Sequence, residues 1–582
     1  MPRTYGGKST VLTGILGALG LLSLLVGSGN GRTASSAALE TSNYRIYTAD
    51  PSPNPEWLGR VSERREEAHR RIQAFLEAPG PSPKIDYHIY PSFESKGLST
   101  GNTQLAHADI ENNAIHLVIN DWIRGDDTRM DAVLLLRRHL GRPATHLLET
   151  GLAVYFSNEW RGKGYRYWAG RLHASDNMPA LAELVDNEAL RRESYLVAEA
   201  AAGSFVDFLI EEFGGSVLVE HYGAWRPAPD EIQRLQNGWW SHLARQPAAA
   251  AKQLAARTRP PSDRFQKGFC HAHEGYQIFN GYLSRKSDDA LEKLADMGTN
   301  AVSITPFTYM RDPQRPVPLR FSHRAGSEND ESVIHSSHTA HQLGMSVMLK
   351  PHIWLGGGRW PGDVEMRTAT DWRLFFDYYY RWMRHYALLA EMYDIDLLCI
   401  GVELARTTAS HENEWRRLIQ RLRGLYSGAM VYAANWGEEF QNIAFWDALD
   451  YIGIDCYYPL TSHDDATAED LRQGAEAMFE RVERVYDRFH KPVLFTEIGF
   501  TSTRAPWKKP HEPAWRHSAF VDHQAMCYEA VLGALYGKQW CNGIYWWKWP
   551  SFLEHGGQKN PGFTPNNKPA EKIVRKWYGK SW

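Results

Sequence analysis

From Arg264 onward, short runs of apolar and β-branched residues alternate with longer stretches whose apolar positions recur every three or four residues. The runs fall at 266–272, 300–305, 346–351, 395–402, 429–434, 451–456, 492–496 and 542–547. Each is too short for a typical helix and nearly continuous in apolar character, the pattern of a strand covered on both faces. Between them, 288–297, 371–393 and 468–489 carry the helical period. Strands alternating with helices predict an α/β fold, and a count that closes at eight predicts a (β/α)8 TIM barrel over residues 264–579. A doubly wound open sheet is the competing arrangement.

The pattern upstream is different. A long charged helix is expected at 55–76, strands at 85–90 and 114–120, and helices at 130–140, 144–159 and 195–213. Residues 42–259 therefore read as a separate, mainly helical α+β domain. The Arg-Pro-Pro-Ser run within 257–263 reads as a linker, because adjacent prolines stop both helix and central strand. At the start of the chain Arg3 and Lys8 precede an apolar run, Val11 to Val26, and small residues follow to Ala37 and Ala38. That is the order of a signal peptide over residues 1–38. The same segment left uncleaved would be an N-terminal anchor, although it is short beside the roughly 20 residues a spanning helix needs. Either way the chain is expected to be exported, to the periplasm or the exterior, touching a membrane only through that segment.

Composition changes this picture little. The 582 residues are 43% hydrophobic and 23% charged, with a formal net charge of −3. A mixed, near-neutral balance gives no reason to expect a nucleic-acid partner or a polybasic membrane surface. The 22 Trp and 28 Tyr suit sugar faces and large cores equally. The five cysteines (Cys270, Cys399, Cys456, Cys527, Cys541) show no paired spacing, and we expect free buried thiols rather than a disulfide framework or a zinc cluster.

Reacting groups of a (β/α)8 barrel belong at the C-terminal ends of its strands. The third predicted strand ends in Lys350-Pro351-His352, the fourth in Gly401-Val402-Glu403 and the fifth in Asn435-Trp436. The sixth ends in Asp455-Cys456-Tyr457-Tyr458, the seventh in Thr496-Glu497 and the eighth in Trp546-Trp547-Lys548-Trp549. Two carboxylates facing each other across one mouth are what glycosidic cleavage needs, one to protonate the leaving oxygen and one to attack the anomeric carbon. A single such glutamate would read equally well as a rim charge; the pair, with Asn, His, Tyr and Trp at the other strand ends, does not.

These stretches resemble glycoside hydrolase family 113, whose characterised members are chiefly β-1,4-mannanases within the retaining clan A barrels. The resemblance runs from about Lys267 to Trp577 through KPHIW, IGVEL, YAANW, FWDALDYIGIDCYYPL, VLFTEIGF and GIYWWKW. It implies Glu403 as acid/base and Glu497 as nucleophile, with Tyr457 hydrogen-bonded to the nucleophile. It further implies Lys350, His352 and Asn435 as ligands of sugar hydroxyls, with Trp436 beside them on the substrate side. Trp546 or Trp547 would be the platform under the reacting sugar, and Trp360 would stack on a neighbouring one. Many clan members carry Asn immediately before the acid/base; here that residue is Val402. Recognition of the sugar 2-hydroxyl therefore falls to His352 and Asn435. Neither a metal nor another cofactor is implied, since carboxylates alone carry this chemistry.

Residues 134–158 resemble the helix pair of gluzincin-type metallopeptidases, with the first histidine ligand and the catalytic glutamate missing. His139 and Glu149 survive, and His146 is the one substitute ligand at hand. A zinc peptidase needs three protein ligands and a base, so the expectation is a peptidase-like scaffold without peptidase chemistry. The expected partner of the whole is a polysaccharide, most readily mannan or glucomannan. The rival readings are an exo-acting β-mannosidase or β-glucanase on the same barrel, a non-catalytic polysaccharide-binding protein, and a metallopeptidase.

Overall fold

The computed structural model describes residues 37–48, 55–78, 82–125, 127–157, 160–245, 262–272, 274–514 and 517–582. Residues 1–36 of the expected leader and most of the 257–263 linker lie outside the described residues. Among the described residues, no helix is long and apolar enough to cross a membrane.

The N-terminal unit is built on five strands, β1 (Leu39–Glu40), β2 (Tyr44–Thr48), β3 (Ile85–Tyr90), β4 (Ala106–Asp109) and β5 (Ala114–Val118), in the order β1-β2-β3-β5-β4. β2, β3 and β5 run parallel, and the two edge strands run antiparallel. Ile85, Tyr87 and Ile89 alternate inward on β3, packing on the helices Pro55–Phe75 and Arg129–Leu140. Helix His146–Phe156 begins after Thr145, whose hydroxyl caps the Leu147 N–H, and lies against the long helix Tyr195–Phe213.

The C-terminal unit is a closed parallel barrel. Its strands are β6 (Gln266–Ala272), β7 (Ala301–Ile304), β9 (Ser346–Leu349), β11 (Leu397–Val402), β12 (Ala429–Asn435), β13 (Tyr451–Cys456), β14 (Val493–Ile498) and β15 (Cys541–Pro550). All eight lie where the apolar runs place them. Two short strands were not foreseen: β8 (Phe307–Met310) and β10 (His352–Leu355) pair parallel outside the barrel, beyond the ends of β7 and β9. Each is only four residues long, and two residues outside any strand or helix separate it from the strand before it. All five cysteines are free and buried.

The two units share a buried seam along the barrel helix Ala369–Met392, which starts after the capping hydroxyl of Thr368. Arg171, 1% exposed, pairs with Glu391 at 3.1 Å and also donates to the Leu425 carbonyl. Arg384 meets Glu193 at 2.7 Å and the Asn177 carbonyl at 2.8 Å. Ser194, His385 and Asp330 form a buried chain, with Ser194 Oγ 2.8 Å from His385 Nδ1 and His385 Nε2 3.0 Å from Asp330 Oδ1. Around these polar contacts Trp160, Trp168, Leu196 and Val197 join the apolar layer of the barrel helices.

Arg171 holds the Glu391 carboxyl below its ordinary range against the opposing effect of burial. Removing one partner of a buried ion pair strands the other. Arg171→Met is expected to cost about 3–5 kcal/mol of unfolding free energy, read by urea denaturation.

Candidate active site

The site forms where the barrel strands end. Glu403 follows β11 and Glu497 lies near the end of β14, and both line one pocket of about 240 Å³ together with His352, Trp354, Arg359 and Trp547. The two glutamates differ in what holds them.

Glu497 Oε1 accepts from Lys350 Nζ at 2.6 Å, and its Oε2 accepts from the Tyr457 hydroxyl at 2.8 Å. Lys350 is fully buried and also contacts Asp455 Oδ1 and Oδ2 at 3.0 and 3.2 Å. Burial works against the lysine's charge, but Asp455 and Glu497 outweigh it and raise its pKa. Asp455 is raised well above the carboxylate range, first by burial and then by Glu497, and it accepts a further bond from Thr496 Oγ1 at 2.7 Å. His352 is pushed well below its usual value by burial and by Lys350, so it faces the pocket as a neutral imidazole. Its Nε2, without a hydrogen-bond partner, lies 3.9 Å from Glu497 Oε1.

Glu403 accepts from Asn435 Nδ2 at Oε1 (2.9 Å) and from the Trp360 indole N–H at Oε2 (2.7 Å). Burial, followed by the charge of Glu497, pushes its carboxyl up to about 7. Its backbone sits at φ 51°, the left-handed region that non-glycine residues seldom occupy and that clusters at functional sites.

The structure bears on several of the expected residues. Lys350 is sealed beneath the site and serves as the cation between Asp455 and Glu497, so it does not reach a sugar. Trp546 is not the platform: side chains alternate along a strand, and its ring points outward, stacked on Tyr528 at 3.7 Å. Trp547 takes the inward position and lines the pocket. Trp360, 38% exposed, is a hydrogen-bond donor to Glu403 as well as a candidate stacking surface. Trp436 stands further along the rim, edge-on to Tyr458 at 5.1 Å. Sequence reasoning passed over Asp455 and Glu439, the two buried acids behind the glutamates, and also Phe307, Tyr309 and Trp354 on the outer strand pair. Asp455 stood at a strand end in an apolar run, which was the available signal. The outer strands gave none, since four residues are too few to show a period.

In the N-terminal unit Glu149 is engaged by both Arg137 Nε and Nη2, the latter at 2.7 Å. Among the described residues, the one grouping with metal-ligand spacing is Asp207, Glu211 and His242. Arg166 holds both oxygens of that aspartate, at 2.6 and 2.7 Å.

The family model for Glycoside Hydrolase Family 113 matches residues 275–568, half of the chain. The chain belongs to glycoside hydrolase family 113. It is a glycoside hydrolase, and the family match spans the strand ends from β7 to β15 described above. Among solved structures, the GH113 β-mannanase from Alicyclobacillus acidocaldarius is 25% identical, covering 54% of this chain and 97% of its own with a TM-score of 0.49. A second GH113 β-1,4-mannanase is 22% identical, covering 54% and 99% with a TM-score of 0.48. An endo-β-1,4-mannanase from Thermotoga petrophila is 15% identical, covering 55% and 77% with a TM-score of 0.36. No curated protein matches the chain.

Lys350→Met leaves Asp455 and Glu497 facing each other with no cation between them. Turnover of a β-glycan by this variant is expected to fall by roughly 10²–10³, the usual effect of losing one preorganised electrostatic group, as measured by release of reducing ends.

Proposed function

We propose that this family 113 hydrolase is an exported, retaining, endo-acting enzyme on β-1,4-linked polysaccharide, mannan or glucomannan, with Glu403 as acid/base and Glu497 as nucleophile. The observation that carries the reading is one pocket holding two glutamates in opposite surroundings. Glu403 is pushed up to about 7 and so keeps a proton to give. Glu497 has a cation and a phenol donating to its two oxygens. Environments that separate two carboxyls in this way assign acid and nucleophile.

In the first step Glu403 protonates the glycosidic oxygen as Glu497 attacks the anomeric carbon, breaking the C–O bond and forming a glycosyl ester. In the second, water attacks the same carbon while Glu403 takes its proton; the ester bond to Glu497 breaks, its carboxylate is regenerated, and the sugar leaves with its original anomeric configuration. Trp547 offers a ring beneath the reacting sugar, and His352 and Asn435 are the polar groups within reach of its hydroxyls. Trp354, which lines the pocket, and Tyr309 stand side by side in register on β10 and β8, each 60% exposed. Two open rings at and beside the pocket suit several sugars of one chain rather than a single terminal sugar.

The choice of mannan follows the family, and export follows the leader sequence. We read the N-terminal unit as a peptidase-like scaffold without peptidase chemistry; Arg137, clamped on Glu149, supports this. Reducing-sugar release across mannan, glucomannan, cellulose and xylan tests the substrate, with Glu497→Ala as the inactive control. Mixed oligosaccharides early in the reaction support endo action, whereas monosaccharide alone would make it exo-acting. Proton NMR of the first product should show retained β configuration; an α product would end the double-displacement reading.

Two further outcomes follow. Because the acid must be protonated in the free enzyme, kcat/KM should fall as pH rises through about 7, and that limb should vanish in Glu403→Gln. The double variant Tyr309→Ala/Trp354→Ala should raise KM for long mannooligosaccharides by roughly tenfold, the loss of about 1.4 kcal/mol of stacking. Its effect on a mannobioside should be smaller than on the long substrates.

A further inference from the structure

Glu439 is a buried carboxylate at the barrel mouth for which the double displacement has no use. It lies in the short helix Glu438–Asn442 after β12, 9% exposed. Its Oε1 accepts from the Tyr432 hydroxyl at 2.7 Å and from Thr408 Oγ1 at 2.9 Å, and its Oε2 accepts from the Asn435 backbone N–H at 2.7 Å.

Every one of these donors leads back to Glu403. The Tyr432 hydroxyl, while donating to Glu439, accepts from the N–H of Leu404, the residue after Glu403, at 2.7 Å. Asn435, fixed through its backbone, sends its side-chain N–H to Glu403 Oε1. Thr408 belongs to the helix Ala405–Ser410 that follows directly. The Tyr432 ring also lies flush on the strand that carries Glu403, since a Cβ on Gly401 would come within 2.7 Å of it. A glutamate at φ 51° occupies a conformation that persists only where its surroundings over-determine it, and these bonds are the surroundings.

We infer that Glu439 is a positioning residue for the acid/base, bracketing Glu403 from two sides: its backbone through Tyr432 and Leu404, its carboxyl through Asn435. The inference rests on the reading of Glu403 as general acid. Glu439 takes no part in bond making. It sets where the proton of Glu403 points, so its loss should be felt only where leaving-group protonation limits the rate.

This gives a test that a merely structural role would not pass. Glu439→Gln puts an amide N–H₂ where a carboxylate oxygen accepted, so one of the three donors loses its partner. Tyr432→Phe removes the backbone arm alone and guards against misfolding of the first variant. Each is assayed on 2,4-dinitrophenyl and phenyl β-mannobiosides, or on the corresponding aryl glycosides of the sugar that the polysaccharide survey selects. Dinitrophenolate departs without a proton, and phenolate does not. For both variants kcat/KM on the phenyl substrate is expected to fall by roughly 10–100-fold, part of the range general acid catalysis supplies. The fall on the dinitrophenyl substrate should be less than about threefold.

Equal losses on the two substrates, or no loss on either, would overturn the inference while leaving the acid/base assignment intact. Glu403→Gln is the reference and should show the largest difference between the two leaving groups. If it shows none, the acid/base assignment fails and the role of Glu439 fails with it.

Discussion

The buried contact of Lys350 with Asp455 and Glu497 is the constraint around which the barrel mouth is organised. A lysine with no exposed surface carries a large desolvation cost, and it keeps its charge only because two carboxylates meet it. Those carboxylates come from β13 and β14, and the lysine follows β9, so three strands must hold register for the contact to exist. Its electrostatic effect extends further. It adds to the effect of burial in lowering the basicity of His352, leaving a neutral ring at the pocket wall, and it gives Glu497 a fixed counter-charge within a region otherwise rich in acids. Glu403, without a cation of its own, feels burial and Glu497 and holds its proton more tightly. Two identical side chains thus stand in different surroundings, one bonded to an ammonium and a phenol, the other to an amide and an indole.

The barrel was readable from the chain because its strands are buried on both faces and so appear as uninterrupted apolar runs. The carboxylates at their ends stand out against that background, as do Tyr457 and Asn435. The direction of neighbouring side chains was less readable. Trp546 and Trp547 are adjacent and identical, and only the phase of the strand decides which one faces the sugar side. The strand end of Lys350 is legible and its task is not, since a sequence does not reveal that residues three and four strands away supply its partners. Glu439 lies beyond the strand that carries Tyr432 and Asn435, and its purpose emerges only when three hydrogen bonds converge on it. The outer strands β8 and β10 escaped notice because four residues cannot display a repeat.

The N-terminal unit shows the same limit at larger scale. Its longer helices and the strands β3 and β5 follow from period and capping, as at Thr145, whereas β1, β2 and β4 and the shorter helices do not. Its association with the barrel depends on contacts between residues some two hundred positions apart, such as Ser194 with His385 and Arg171 with Glu391. Arginines and acids in a sequence read as solvent-facing charge. Here several are sealed in the seam.

That seam makes the barrel a dependent half rather than a portable catalytic module. Cut free of its neighbour, the helix Ala369–Met392 would present Trp382 to water together with the stranded carboxylate of Glu391 and the Arg384 guanidinium, all three now enclosed. An oily stripe interrupted by orphaned charges invites self-association of the fragment. Domain shuffling, natural or engineered, would therefore have to carry both halves together or resurface this one helix first.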